Sequence, residues 1–169
     1  SELVSRGATV RALVRPWAQT GRLSAIPSRY LDIREVDFDR ADDLARACEG
    51  GSILVSTLSG LRGVMIDTQS KLLDAAIRAG VPRFMPSDFS IDYTQIPDGL
   101  NRNLNLRNEF RARLESAPIR PTSILNGAFS DMLTGVAPFV LFRQRRILCW
   151  GDPEQMMDWT TMNDTAAYA

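Results

Sequence analysis

Histidine is absent from this chain of 169 residues. Histidine-centred proton relays, Ser-His-Asp triads and His-ligated metal sites are therefore excluded, and no metal is expected. Lysine is nearly absent as well. Lys71 is the only one, so chemistry that needs a lysine anywhere else is excluded. The two cysteines, Cys48 and Cys149, lie far apart and form no CxxC pair, which fits a reducing compartment better than a disulfide framework. No apolar run reaches membrane-spanning length. Acidic and basic residues balance at 20 each, for a formal net charge of zero, so nothing electrostatic argues for nucleic acid or an anionic membrane as partner. The opening residues resemble neither a signal nor a transit peptide, and the expected location is cytoplasmic.

What is present is ordinary for a globular chain. A hydrophobic fraction of 44% and a charged fraction of 24% allow one sizeable core. Thr9–Val14 is short and β-branched and reads as a strand ended by Arg15-Pro16. Gln19–Ala25 reads as a short helix stopped by Pro27. Leu31–Phe38 alternates and reads as a second strand. Asp39–Cys48 has helical spacing with acids in its first turn, where the helix dipole favours them. Ser52–Leu58 is a near-continuous apolar strand of the kind covered on both faces. Val64–Ala79 is the clearest helix, with Met65, Leu72, Leu73, Ala76 and Ile77 as its stripe. Arg83–Ser87 follows as a short strand, Ser90–Asn103 as a loop, Leu104–Ser116 as a helix and Thr122–Asn126 as a strand. Phe139–Phe142 and Arg146–Trp150 read as paired strands around a basic turn. Strands alternating with helices predict an α/β, doubly wound, mostly parallel sheet. Ser1–Arg6 reads as the end of a helix and Asp164–Ala169 as the start of one, so the chain is expected to be cut at both ends.

Three clusters carry the functional reading. In a parallel α/β sheet ligands bind beyond the carboxyl ends of the strands. Arg15 stands at such an end, and a guanidinium matches phosphate geometry with paired donors. Ser56-Thr57 followed by glycine ends another strand and lets backbone approach a ligand. The third cluster is Arg83-Phe84-Met85-Pro86-Ser87-Asp88-Phe89. Its surrounding stretch, "AAIRAGVPRFMPSDFSID", resembles the segment after the fifth strand in NmrA-like and isoflavone-reductase-like proteins, a branch of the atypical short-chain dehydrogenases. "RGATVRALVRP", "DFDRADDLARACEGGSILVST", "APIRPTSILNGAF" and "WTTMNDTAAYA" resemble further segments of that family, in the same order.

The resemblance implies a Rossmann-type fold whose first strand and glycine-rich turn lie outside this chain. Residues 1–127 would form the dinucleotide-binding domain, and 128–169 the start of a smaller substrate-side region in the same compact unit. It implies NADP(H) in preference to NAD(H), with Arg15 on the 2′-phosphate. Asp37 and Phe38 would lie near the adenine. Ser56, Thr57 and Leu58 would stand at the end of the fourth strand. Asn126, Gly127, Ala128 and Phe129 would lie beside the nicotinamide, and Asp88 and Phe89 toward a substrate. The family's reductases carry a lysine before the sixth strand; here Arg107 stands at that position as a cofactor contact. An arginine is a poor proton donor, so no catalytic residue is assigned. Two roles stay open. One is a nucleotide-binding redox sensor or regulator with a protein partner. The other is an NADPH-dependent reductase of a small aromatic or quinone-like substrate.

Overall fold

The computed structural model describes residues 2–21, 23, 26–27, 29–133, 135, 139–149 and 151–169. They divide into two units. The first comprises Ser1–Asp88 with Tyr93–Ser123, the second Phe89–Asp92 with Ile124–Ala169.

In the first unit a short helix, α1 (Glu2–Ser5), precedes strand β1 (Val10–Val14). β1 pairs in parallel with β2 (Leu31–Glu35), Val10 opposite Leu31 and Val14 opposite Glu35. The expected helix at Gln19–Ala25 does not form in its described part. The Leu23 N–H reaches Thr20 O and the Ile26 N–H reaches Leu23 O, which are tight turns rather than i to i−4 bonds. Gly21 and Pro27 disfavour helix there. Arg22, Ser24 and Ala25 lie outside the described residues.

Helix α2 (Ala41–Cys48) carries Asp42 and Asp43 in its first turn and buries Leu44, Ala45, Ala47 and Cys48. The next strand, β3, forms a ladder only at Leu54–Val55, shorter than Ser52–Leu58. It belongs to a parallel three-stranded sheet ordered β3, β4 (Arg83–Met85), β5 (Arg120–Pro121). Parallel neighbours need crossovers, and helices supply them. The first crossover is not one helix. Gly63–Thr68 is a π-helical turn, and α3 (Gln69–Arg78) continues from it. Helix α4 (Arg102–Glu115) starts two residues before the expected Leu104, because the Asn101 side chain accepts from the Asn103 and Leu104 N–H groups, a standard N-cap.

The core of this unit lies where α2, α3 and α4 meet β4. Phe84 and Phe110 are 0% and 1% exposed, and their rings stand 6.1 Å apart at a 40° tilt. Such a pair contributes about 0.5–1.5 kcal/mol beyond its buried area. Leu44, Leu73, Ala76 and Leu114 close around it. The arrangement is α/β with open parallel sheets, as the alternating pattern predicts.

The second unit is built from very short pairings. β6 (Ala128–Phe129) runs parallel to β9 (Trp159–Thr160). β7 (Val140–Leu141) and β8 (Arg146–Ile147) form the expected antiparallel pair, closed by Arg145 at φ +52°; Trp150 lies outside the described residues. Helix α5 (Met162–Tyr168) is capped by Thr161. The Thr161 hydroxyl accepts from the Asp164 N–H and donates to its carboxylate. Gly127 is obligatory in this unit. Its φ is +72°, and a Cβ there would stand 2.5 Å from the Asp158 carbonyl oxygen.

Candidate functional site

The carboxyl ends of the strands gather most of the expected residues of the first unit. Arg15 follows β1 directly. Its guanidinium carbon lies 5.8 Å from the centre of the Phe38 ring, close enough for a cation–π contact. Asp37 is exposed, and its carboxylate accepts from the Asp39 N–H at 2.9 Å, shaping the turn into α2. Asp39 is ion-paired with Lys71. The Lys71 ammonium, and beyond it Arg15, hold the Asp39 carboxyl below its usual range. Phe38, Ala41, Ala75 and Lys71 line a shallow cavity of about 150 Å³ here. A second groove, of about 260 Å³, runs past Asp37 and Arg46. Each is smaller than the roughly 300–1,000 Å³ typical of a ligand pocket.

Past β3, Ser56 is 2% exposed and Thr57 is exposed. The Ser56 N–H donates to Met85 O at 2.8 Å, which carries the pairing with β4 one residue further. The Leu58 carbonyl accepts from Ser87 Oγ at 2.5 Å. Ser56 Oγ is buried with no hydrogen-bond partner among the described residues. A buried hydroxyl without a partner carries a desolvation cost, and a ligand oxygen or ordered water would relieve it.

Asp88 does not face outward as a substrate contact. It is 2% exposed, and the Tyr93 hydroxyl donates to its carboxylate at 2.9 Å. Burial raises the Asp88 carboxyl above the ordinary range, while hydrogen bonds from Ser123 and Tyr93 pull the other way. Burial also pushes the Tyr93 phenol far up, and the neighbouring Asp88 charge adds to that. Arg107 closes the cluster from α4. Its Nε donates to Asp88 O at 2.7 Å and Nη1 to Asn103 O at 3.0 Å. Arg107 is thus held by backbone carbonyls, and desolvation lowers its pKa.

Phe89, Asn126 and Phe129 belong to the second unit. Phe89 has φ +22°, a region that non-glycine residues seldom enter and that is often found at ligand sites. The Asn126 side-chain oxygen is buried without a partner among the described residues. Phe129 is half-buried on β6, opposite Thr160. Within the first unit, the buried Ser56 hydroxyl without a partner among the described residues and the Arg15 guanidinium past β1 are groups that fit a nucleotide's oxygens and phosphate. Among the described residues no cluster of His, Cys, Asp and Glu could hold a metal ion, and no helix is long and apolar enough to cross a membrane.

Sequence reasoning singled out Ser87 within the third cluster without giving it a role, and missed the site contacts of Lys71, Gln69 and Tyr93. Gln69 left a signal: it interrupts the apolar stripe four residues after Met65 and three before Leu72. Tyr93 left none, because its partner Asp88 lies in what reads as a solvated loop.

The chain is similar to known reductases. The bifunctional pinoresinol-lariciresinol reductase of Linum usitatissimum is 28% identical over 142 residues, which cover 79% of this chain and 45% of that protein. A structure from work on pinoresinol-lariciresinol and phenylcoumaran benzylic ether reductases superposes with a TM-score of 0.83 at 22% identity, covering 98% of this chain and 57% of its own. AtPrR2, solved with NADP+ and (+)pinoresinol, gives 0.79 at 22% identity, covering 99% and 58%. The chain spans about half the length of the curated relatives it matches. At these identities the solved structures establish the Rossmann-type fold. The sequence profile of the NmrA-like family matches residues 1–169, and the chain belongs to that family.

Proposed function

We propose that the protein carrying this chain binds NADP(H) and acts as a nucleotide-occupancy sensor rather than as a proton-donating reductase. The observation that carries the binding reading is Arg15 at the carboxyl end of β1, stacked over Phe38. A guanidinium there suits a 2′-phosphate, and the aromatic edge suits a purine. In the first unit Asp37 and Phe38 flank the adenine, and Ser56 to Leu58 follow the backbone of the nucleotide. The bound nucleotide would supply a hydride; this chain's residues would bind and orient it.

The sensor reading rests on Arg107. A permanently charged guanidinium already donating to two backbone carbonyls is suited to holding the loop at Asp88, not to releasing a proton. A regulatory protein partner follows from that reading. The similarity to a named reductase favours the second one, NADPH-dependent reduction of a small aromatic or quinone-like substrate. NADPH consumption with a panel of quinones and enones separates the two.

Affinity is assigned to the longer protein. Among the described residues β1 pairs only with β2, and β3 only with β4 on its one side. A further parallel strand bearing a glycine-rich turn, bridging those free edges, would supply the amides that cradle a pyrophosphate. The 169-residue chain alone is accordingly expected to bind NADPH poorly. The direct test is Arg15→Ala in the full-length protein, read by calorimetry. Loss of a charge-assisted contact of roughly 1.5–3 kcal/mol weakens NADPH about tenfold or more and leaves NADH unchanged. Equal losses for both nucleotides refute the assignment.

A further inference from the structure

Gln69 opens α3 at 1% exposure, in the middle of an otherwise apolar stripe. An amide in that position must find partners for both ends or carry a desolvation cost. It finds both. Nε2 donates to Met65 O at 3.3 Å, inside the π-helical turn, and Oε1 accepts from the Ser87 N–H at 2.9 Å, just past β4. Ser87 then donates its hydroxyl to Leu58 O at 2.5 Å, just past β3. A leucine at 69 would keep the stripe apolar but could not join these segments. The π-helical turn, itself a feature enriched at functional sites, supplies the carbonyl that fixes the amide's other end.

The chain of contacts therefore runs from Met65 through Gln69 and Ser87 to Leu58. It spans the Ser56–Leu58 segment, with its unpartnered Ser56 hydroxyl, and the Ser87–Asp88 turn that Arg107 holds from the other side. We infer that Gln69 is a positioning residue of the nucleotide site, acting through Ser87 to fix the spacing of the segments that follow β3 and β4. The inference rests on the NADP(H) reading above.

The test uses the full-length protein with Gln69→Met, Ser87→Ala and the double variant, at a temperature where melting curves show each folded. Calorimetry with NADPH gives the affinity, and hydrogen exchange without nucleotide gives the protection of the Ser87 amide. Gln69→Met is expected to weaken NADPH by roughly fivefold or more, and the double variant by little more than the worse single, because the two act in series. The Ser87 amide of Gln69→Met should exchange at least about tenfold faster, while amides in β2 are unchanged. Gln69→Glu keeps the acceptor for that N–H and should restore part of the protection. Ser87→Ala, a small change, decides the affinity arm if Gln69→Met does not fold. Melting shifts with NADPH affinity unchanged, strictly additive losses, or an unchanged Ser87 exchange rate overturn the proposal and leave the NADP(H) reading standing. A wild-type protein that binds no NADPH removes that reading, and the nucleotide role of Gln69 with it.

Discussion

Phe110 in the first unit is 1% exposed, whereas Phe142 in the second is 72% exposed. The same contrast runs through both units. Residues Leu44, Leu73, Phe84 and Leu114 are sealed between helices and a strand. In the second unit Met156 is 90% exposed and Ile147 73%, and Ile124 and Thr165 are the buried side chains among its described residues. Its order comes from backbone geometry instead: a left-handed Gly127 against Asp158, a Thr161–Asp164 cap, and the Met162 N–H donating to the Asp131 carboxylate at 2.9 Å. One unit is held by buried area and the other by hydrogen-bonded turns, so they should fail under different substitutions.

Phe110→Ala is expected to have the largest effect. Emptying a fully buried aromatic position destabilises by about 3–5 kcal/mol, and the urea midpoint of the transition reporting on α2 and α4 should fall sharply. A small shift would break the comparison, since it would mean that the helices do not share a tight core. Gly127→Ala comes next. Combining positive φ with a Cβ overlapping the Asp158 carbonyl should cost about 1–3 kcal/mol. The loss should appear as faster proteolysis and hydrogen exchange in residues 124–169, with the first unit's protection unchanged.

Asp88→Asn sharpens the picture through pH. Burial raises the carboxyl's pKa in the folded chain, so folding binds an extra proton, and the associated stability is present below the unfolded pKa. It is lost as pH rises through the ordinary carboxylate range toward the raised folded value. Chemical denaturation across that window should show wild-type stability falling relative to the Asn variant, which has nothing to ionise and still accepts from Tyr93. An unchanged pH slope would show that Asp88 titrates normally. The smallest effect belongs to Met156→Ala, expected within about 0.5 kcal/mol of wild type. A larger loss, measured by the same denaturation, would show that this exposed methionine is packed in solution.

The sequence showed elements better than their limits. β1 and α2 were legible because β-branched residues and a helical apolar stripe each report a single period. The π-helical turn at Gly63–Thr68 was not, because one extra residue in a turn hardly disturbs a stripe that resumes at Leu72. The helix expected at Gln19–Ala25 does not form in its described part, because the Leu23 and Ile26 N–H groups close tight turns onto Thr20 and Leu23. For the site, Arg15 and Ser56 were legible as strand-end residues, and Phe38 only through the resemblance. The inward turn of Asp88 was not, since it depends on Tyr93 and Ser123, one in a loop and the other far along the chain. Arg107 was placed by resemblance alone, and neither a free cation nor a surface ion pair describes it: its Nε and Nη1 donate to main-chain carbonyls.

Lys71 is the only side-chain amine in the whole sequence, and it lines the cavity beside Phe38. Within these 169 residues amine-selective acylation therefore has a single side-chain target, and that target lies at the proposed adenine edge. A dye placed there labels one defined position without any engineered cysteine. In the longer protein, the rate of attachment at Lys71, mapped by peptide mass with and without NADPH, becomes a direct footprint of whether that edge is covered.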